Sequence, residues 1–229
     1  MGLYAIGDLH LCLGAEKPMD VFGGAWVGYM DKLRQGLSIL KPEDTLVLLG
    51  DLSWALDLEE AREDFAFLDA IPGRKIILKG NHDYWWSTAA KFQKFCEENG
   101  FSNMQQLNNN HFEYAGYAIC GTRGWFFEEE KSGEHDEKVF KRELLRLEAS
   151  LKSAGDHEKL VFLHYPPMYK GYACSEILEL LKKYHVRRCF YGHLHGASHA
   201  LALEGVWDGI DYQLVAADRV NFTPVQVLA

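Results

Sequence analysis

The sequence has no apolar run of the roughly 18 residues that a membrane-spanning helix requires. Its first apolar segment, Leu3–Ile6, is short and follows no basic residues, so it does not resemble a secretory signal peptide. The five cysteines are odd in number and include no C-x-x-C pair, which argues against a disulfide framework. We therefore expect a cytoplasmic protein with reduced thiols and no membrane association.

Basic residues are also fewer than acidic residues. The 229 residues include 24 Lys and Arg against 33 Asp and Glu, which gives a formal net charge of −9. Such a surface repels a long polyanion, so the composition argues against nucleic acid as a partner. Hydrophobic residues make up 48% of the chain, which is typical of a globular protein and excludes a disordered one. The sequence contains no evident linker, repeat or low-complexity tract, and we predict a single domain over residues 1–229.

Five short apolar runs have the length and composition of buried strands. They are Leu3–Ile6, Thr45–Leu49, Lys75–Leu78, Leu160–Leu163 and Arg188–Tyr191. Apolar residues between these runs recur at helical spacing, as at Leu33, Leu37 and Leu40. The segments His111–Gly121 and Leu201–Val215 have the pattern of β-hairpins. This alternation predicts a layered α/β fold with a mixed, mostly parallel central sheet.

A polar cluster follows each of the five predicted strands. The clusters supply two carboxylates, one amide and four imidazoles that could bind metal: Asp8, His10, Asp51, Asn81, His164, His193 and His195. Because ligands collect at the carboxyl ends of the strands in an open α/β sheet, we expect these side chains to converge. Nitrogen and oxygen donors without thiolates suit Mn, Fe or Zn. Seven ligands exceed what one ion takes, so we expect two ions about 3.5–4 Å apart.

These clusters, in this order, resemble the motifs of the calcineurin-like metallophosphoesterase superfamily. The matching series is Asp8-x-His10, Gly50-Asp51, Gly80-Asn81-His82-Asp83, His164 and Gly192-His193-x-His195. The resemblance implies a two-sheet α/β sandwich with flanking helices. It implies that Asp8, His10 and His195 hold one metal ion. It implies that Asn81, His164 and His193 hold the second, with Asp51 bridging the two. His82 would be the general acid, oriented by Asp83.

The activity that the resemblance implies is hydrolysis of a phosphomonoester or a small phosphodiester. A hydroxide bridging two divalent or trivalent ions would be the nucleophile. Two dications, two carboxylates and one hydroxide leave a local charge of about +1, which attracts a phosphate even on an acidic protein. The acidic run Glu128–Lys138 favours small phosphoester substrates over long polyanions.

One arginine and three tryptophans outside the motifs could serve either the active site or the structure. Arg123, in a turn flanked by Gly121 and Gly124, could bind a phosphoryl oxygen or could form a structural ion pair. The tryptophans that follow motif residues could line a pocket, although large aromatic side chains beside a sheet more often serve packing. These are Trp54, Trp85 and Trp86.

An alternative function is a catalytically silent scaffold that uses the same fold to bind a protein partner. Such a scaffold would be expected to have lost metal ligands or the acid histidine. Asn81, His82 and all the other ligand candidates are present in this sequence, which favours the enzyme.

Overall fold

The computed structural model describes residues 1–125 and 134–229. The strands in these ranges are β1 Leu3–Ile6, β2 Thr45–Leu48, β3 Arg74–Ile77, β4 Met104–Gln106, β5 His111–Tyr114, β6 Tyr117–Thr122, β7 Glu158–Leu163, β8 Met168–Tyr169, β9 Tyr172–Ala173, β10 Arg188–Tyr191, β11 Gly205–Trp207, β12 Ile210–Leu214 and β13 Val225–Leu228. The helices are α1 Tyr29–Leu37, α2 Arg62–Ala70, α3 Ala89–Asn99, α4 Glu134–Ser153 and α5 Ser175–Lys183. Short 3-10 helices span Met19–Phe22, Gly24–Trp26 and Gly196–Leu201.

Two large sheets pack face to face. The first has the strand order β13-β1-β2-β3-β4, in which β1 to β4 are parallel and β13 is an antiparallel edge. The second has the order β11-β12-β10-β7-β6-β5, with four parallel central strands and an antiparallel strand at each edge. This arrangement confirms the predicted two-sheet α/β sandwich with mostly parallel sheets.

Three apolar layers hold the sandwich together. On β2, Leu46 and Leu48 face the layer beneath α1 to α3, whereas Val47 faces the layer between the two sheets. The third layer lies between the second sheet and the helices α4 and α5, where Leu147 and Leu181 pack against it. Because both faces of each sheet are buried, the central strands have nearly continuous apolar sequences.

The five strand predictions are confirmed to within two residues at each end. Both hairpins are present as well, although the second begins at Gly205 rather than at Leu201. Each hairpin turns through two residues with positive φ, at Ala115-Gly116 and Asp208-Gly209, which suits the twist of the paired strands. The five strands that precede the polar clusters do not share one sheet. β1, β2 and β3 belong to the first sheet, and β7 and β10 belong to the second.

The acidic run Glu128–Lys138 is described only in part. Residues 128–133 of the acidic run Glu128–Lys138 lie outside the described residues, and the run enters α4 from Glu134 onward. Within the described ranges, the helices are too short or too polar to cross a membrane. A cytoplasmic location and a single domain over residues 1–229 stay predictions.

Candidate metal centre

The carboxyl ends of both sheets meet at one place. Within the first sheet, the backbone N–H of Asp8 donates to the Gly50 carbonyl at 2.8 Å. Between the sheets, the backbone N–H of His193 donates to the Asp8 carboxylate at 3.0 and 3.1 Å, and the His164 ring donates to the Leu49 carbonyl at 2.9 Å. The side chains that follow five strands of two sheets therefore face a common centre.

The backbone at this centre adopts an uncommon conformation. Four of the predicted ligands, Asp8, His10, Asp51 and His193, have positive φ angles between 48° and 71°. Left-handed conformations of residues other than glycine are strained and concentrate at functional sites. They allow the chain to turn sharply after each strand and aim its side chain inward.

Two glycines permit the close approach of neighbouring segments at the centre. A Cβ atom on Gly80 would overlap the carboxylate and backbone of Asp51, and one on Gly192 would overlap the carboxylate of Asp8. Any side chain at these positions would therefore displace a predicted ligand.

The first group of ligand candidates comprises Asp8, His10 and His195, whose ligand atoms lie within 4.8 Å of one another. The Nε2 atoms of His10 and His195 are 3.4 Å apart, and His195 Nε2 is 3.6 Å from Asp8 Oδ1. Two ligand atoms about 2.1 Å from one ion in tetrahedral geometry are separated by about 3.4 Å. This spacing fits three side chains around a common ion.

The second group comprises Asp51, His164 and His193, also within 4.8 Å of one another. Asp51 lies between the two groups, because its Oδ2 is 3.6 Å from His164 Nε2 and 3.9 Å from His10 Nε2. Asn81 joins the second group through its Oδ1, which is 2.7 Å from His164 Nε2. The structure thus brings all seven predicted ligand candidates together.

A hydrogen bond of His164 leaves its second ring nitrogen facing the centre. Nδ1–H of His164 donates to the Leu49 carbonyl, so in the neutral ring Nε2 carries a lone pair. This lone pair faces the Asn81 Oδ1, another acceptor. Two facing acceptors are compatible with a shared cation, and this donor set fits a transition-metal ion.

Burial controls the protonation of the histidines. It lowers the pKa of His164 to about 3, and burial together with the charge of His164 lowers the pKa of His193 to about 3. Both rings are therefore neutral and able to bind metal at physiological pH. Burial also disfavours the charged form of His195, but hydrogen bonds to Asp218 and Asp8 outweigh this and raise its pKa to about 10.

Too few positively charged side chains surround the carboxylates at the centre to balance their charge. Burial and the neighbouring charges of Asp83 and Asp8 raise the pKa of Asp51 well above its usual value. Among the imidazoles of the two groups, only that of His195 has a raised pKa. Bound cations would supply the missing charge and would compete with the His195 proton.

Asp218 is a functional candidate that the sequence analysis missed. Its carboxylate accepts hydrogen bonds from His195 Nδ1 and from the backbone N–H of Gly196, both at 2.9 Å. It therefore fixes the ring of His195 with Nε2 toward the centre, as carboxylates commonly do for metal-binding histidines. Asp218 follows β12 rather than a motif strand, so no spacing pattern marked it.

Trp26 is a second residue whose position the sequence did not indicate. It lies in the 3-10 helix Gly24–Trp26, which precedes α1. Its ring is 5.7 Å from the ring of His10 and 5.6 Å from that of His195. It therefore shields the first group of ligands from solvent.

His82 is half-buried beside the first group of ligands. Its ring centroid is 6.0 Å from that of His10 and 4.6 Å from that of Trp54, and its backbone N–H donates to Asp51 at 2.8 Å. Burial and the positive charge of Lys17 lower its pKa. His82 thus stands next to the centre without belonging to either ligand group.

Among the described residues no hydrogen bond joins Asp83 to the ring of His82, and the role of Asp83 in orienting this histidine stays a prediction. Its two carboxylate oxygens accept four hydrogen bonds of 2.7–2.9 Å, from the backbones of Gly80, Asp51 and Leu52 and from Trp85 Nε1. His82 Nδ1 is buried without a hydrogen-bond partner among the described residues. Asp83 therefore acts on the site through the backbone of two ligand-bearing loops.

Arg123 lies beside the second group of ligand candidates and forms an ion pair with Glu143. Its guanidinium is 3.7 Å from Glu143 Oε1 and 6.0 Å from the centroid of the Tyr165 ring, which in turn is 4.6 Å from the ring of His193. Arg146 contacts the same glutamate at 2.5 Å. Both interpretations of Arg123 are thus compatible with its position.

Replacing Asp218 should weaken metal binding. Asp218→Asn removes the charge that orients His195, and loss of such a partner typically costs 10- to 100-fold in metal affinity, so we expect a decrease of about that size. Calorimetric titration with Zn²⁺ measures it, with Asp211→Asn on the exposed face of β12 as a matched control. Equal affinities of Asp218→Asn and the wild type would contradict the assigned role.

Replacing Asp83 should destabilise the fold even without metal. In Asp83→Asn the amide nitrogen faces N–H donors, so at least one buried donor loses its acceptor, at a cost of about 3 kcal/mol. Urea unfolding of the metal-free protein measures this, with exposed Asp156→Asn as the control. An unchanged unfolding free energy would show that the carboxylate does not organise the loops.

Comparison with known proteins agrees with this geometry. Phosphopantetheinyl hydrolase from Mycobacterium tuberculosis has a TM-score of 0.61 at 16% identity, covering 99% of this chain and 95% of that one. A protein of unknown function from Aquifex aeolicus has a TM-score of 0.52 at 19% identity, covering 98% and 95%. These identities support similarity of fold alone. The search of curated proteins finds no match.

The sequence model of one family describes most of the chain. The model named calcineurin-like phosphoesterase matches residues 1–197, a range that includes all seven ligand candidates and His82. The match confirms the resemblance of the sequence motifs. This chain belongs to the calcineurin-like phosphoesterase family.

Proposed function

We propose that the protein is a dinuclear metal-dependent phosphohydrolase that cleaves phosphomonoesters or small phosphodiesters. The observation that carries the proposal is the pairing of two ligand groups, Asp8-His10-His195 and Asp51-His164-His193, beside a histidine that belongs to neither. Family membership supports a metal-dependent phosphoesterase in the broader sense.

The two groups divide the ligands between two ions. Asp8, His10 and His195 would hold the first ion. Asn81, His164 and His193 would hold the second, and Asp51 would contribute to both, in keeping with its place between the groups. When bound, Mn, Fe or Zn ions would lower the pKa of a water and stabilise the charge on the phosphoryl oxygens.

His82 is proposed to deliver a proton to the leaving-group oxygen. Its half-buried ring contacts His10 of the first group, and its backbone is tied to Asp51, so the ring has a defined place beside the phosphoryl group. Its Nδ1 has no protein partner among the described residues, which leaves the ring without a competing orientation. Proton donation of this kind contributes roughly 10²–10⁴-fold to the rate.

Arg123 is proposed to bind a non-bridging phosphoryl oxygen. Only one ion-pair contact, at 3.7 Å, holds its guanidinium to Glu143, and its Nε is buried without a partner among the described residues. Arg146 makes the shorter contact to the same carboxylate and can neutralise it alone. This leaves donors of Arg123 for a ligand beside Tyr165 and His193.

A small substrate agrees with the charge of the protein. The net charge of −9 disfavours long polyanions, and no nucleic-acid partner is proposed. A structural neighbour is named a phosphopantetheinyl hydrolase, so a phosphopantetheinyl ester belongs in a substrate panel next to simple aryl esters.

Hydrolysis of p-nitrophenyl phosphate and bis(p-nitrophenyl) phosphate tests the proposal. We expect turnover with Mn²⁺ that chelator abolishes and that Asp51→Asn lowers about 10²–10³-fold, because Asp51 contributes to both ions. His82→Gln should lower the rate more for phenyl than for p-nitrophenyl esters, since the poorer leaving group depends more on the acid.

The matched control for these variants is the exposed Asp211→Asn, which should retain full activity. Activity that survives both chelator and Asp51→Asn would contradict the proposal. Full metal occupancy without turnover of any ester in the panel would instead favour the scaffold function.

Arg146→Gln is the matched control for Arg123→Gln, because both arginines contact Glu143. If Arg123 binds substrate, Arg123→Gln should raise KM about 10-fold, whereas Arg146→Gln should leave KM unchanged. Steady-state kinetics with p-nitrophenyl phosphate measures both. Equal effects of the two variants, accompanied by equal losses of thermal stability, would assign Arg123 to the structural ion pair.

A further inference from the structure

Three buried ring nitrogens that have no hydrogen-bond partner among the described residues lie together beside the candidate metal centre. They are His10 Nδ1, Trp54 Nε1 and His82 Nδ1. Their rings contact one another: Trp54 stacks on His10 at 4.9 Å with an interplanar angle of 22°, and its centroid is 4.6 Å from that of His82. Buried polar atoms are normally hydrogen-bonded, so a cluster of three that are not requires an explanation.

The nitrogen of Trp54 differs from the two imidazole nitrogens in its chemistry. An imidazole nitrogen can be either a donor or an acceptor, whereas the indole N–H is always a donor and does not titrate near neutral pH. A buried donor without an acceptor costs about 1–3 kcal/mol. The structure supplies no acceptor among the described residues, so a water or a bound ligand has to provide one.

Backbone hydrogen bonds fix the position of Trp54. Trp54 lies three residues after Asp51, and its backbone N–H donates to the Leu11 carbonyl at 3.0 Å. That contact continues the bridge between Leu11 and Ser53, which joins the loops that carry His10 and Asp51. The ring is thus fixed between the proposed first-ion ligand His10 and the proposed acid His82.

The charge around this ring favours an anionic acceptor. The ammonium of Lys17 is 4.7 Å from the centroid of the Trp54 indole. Stacking on His10 holds the indole against a proposed ligand of the first ion. An oxygen that carries negative charge would therefore be attracted to the indole N–H from this side.

We propose that the Trp54 indole N–H donates a hydrogen bond to a non-bridging oxygen of the substrate phosphoryl group. The inference rests on the proposed function, because the phosphoryl group must lie at the metal centre. A donor that is already in place requires no reorganisation when charge develops on that oxygen. Trp54 would then bind substrate on the side of the first ion, and Arg123 would do so beside the second group.

The test uses zinc-loaded protein labelled with ¹⁵N at the indole nitrogens, titrated with inorganic phosphate. Trp54→Phe keeps an aromatic ring on His10 but removes the N–H, and its missing signal identifies Trp54 among the six tryptophans. We expect the Trp54 indole proton to shift downfield on phosphate binding. Trp54→Phe should bind phosphate about 10- to 100-fold more weakly, with unchanged zinc content and melting temperature.

Trp207→Phe is the matched control, because Trp207 is exposed at the far edge strand β11. It should bind phosphate like the wild type. Phosphate binding that leaves the Trp54 signal in place, with equal affinity of Trp54→Phe, would overturn the role of Trp54 while leaving the proposed function intact. A loss of kcat/KM without a loss of phosphate affinity would also overturn it, since it would place the contact on the leaving group. Failure of zinc-loaded wild type to bind phosphate would overturn both.

Discussion

Two carboxylates, Asp8 and Asp51, are buried where both sheets end, and the rest of the site is organised around their charge. Their side chains are 0% and 1% exposed. An uncompensated buried carboxylate is destabilising by several kcal/mol. The surrounding imidazoles of His164 and His193 are held neutral by burial and cannot compensate it. Within the two groups only His195, with its raised pKa, offsets this charge, so bound cations would supply the rest and would stabilise the fold.

The fold supports this arrangement with strained but well-anchored loops. Four ligand candidates have left-handed backbone conformations, each of which costs on the order of 1–3 kcal/mol. The three apolar layers of the sandwich stabilise the strands that lead into these loops. Asp83 links the loops that follow β2 and β3, and Asp218 links the segment after β12 to His195. The ligands are thus positioned by rigid elements rather than by mobile surface segments.

The sequence was sufficient to predict the strands and the set of side chains that gather at the centre, because each polar cluster directly follows a short apolar run in the sequence. It did not show that β1 and β7 belong to different sheets, since strand pairing depends on contacts between distant segments. It also did not indicate Asp218 or Trp26, which reach the centre only through tertiary packing. Nor did it indicate that the Asp83 carboxylate binds the backbones of Gly80, Asp51 and Leu52, because these hydrogen bonds join separate loops.

The local charge at the centre explains why an acidic protein can act on an anion. The overall charge of −9 is spread over the whole chain, whereas the field at the centre is determined by the nearest groups. With two ions bound, that field becomes attractive to phosphate, and Arg123, Lys17 and the indole of Trp54 lie around the same centre.

Anomalous diffraction from a crystal grown with Zn²⁺ tests whether this centre binds two ions. We expect two anomalous peaks about 3.5–4 Å apart. Asp51 should lie between them, with Asp8, His10 and His195 around one peak and Asn81, His164 and His193 around the other. A single peak, or peaks bound elsewhere while these side chains remain without metal, would contradict this expectation.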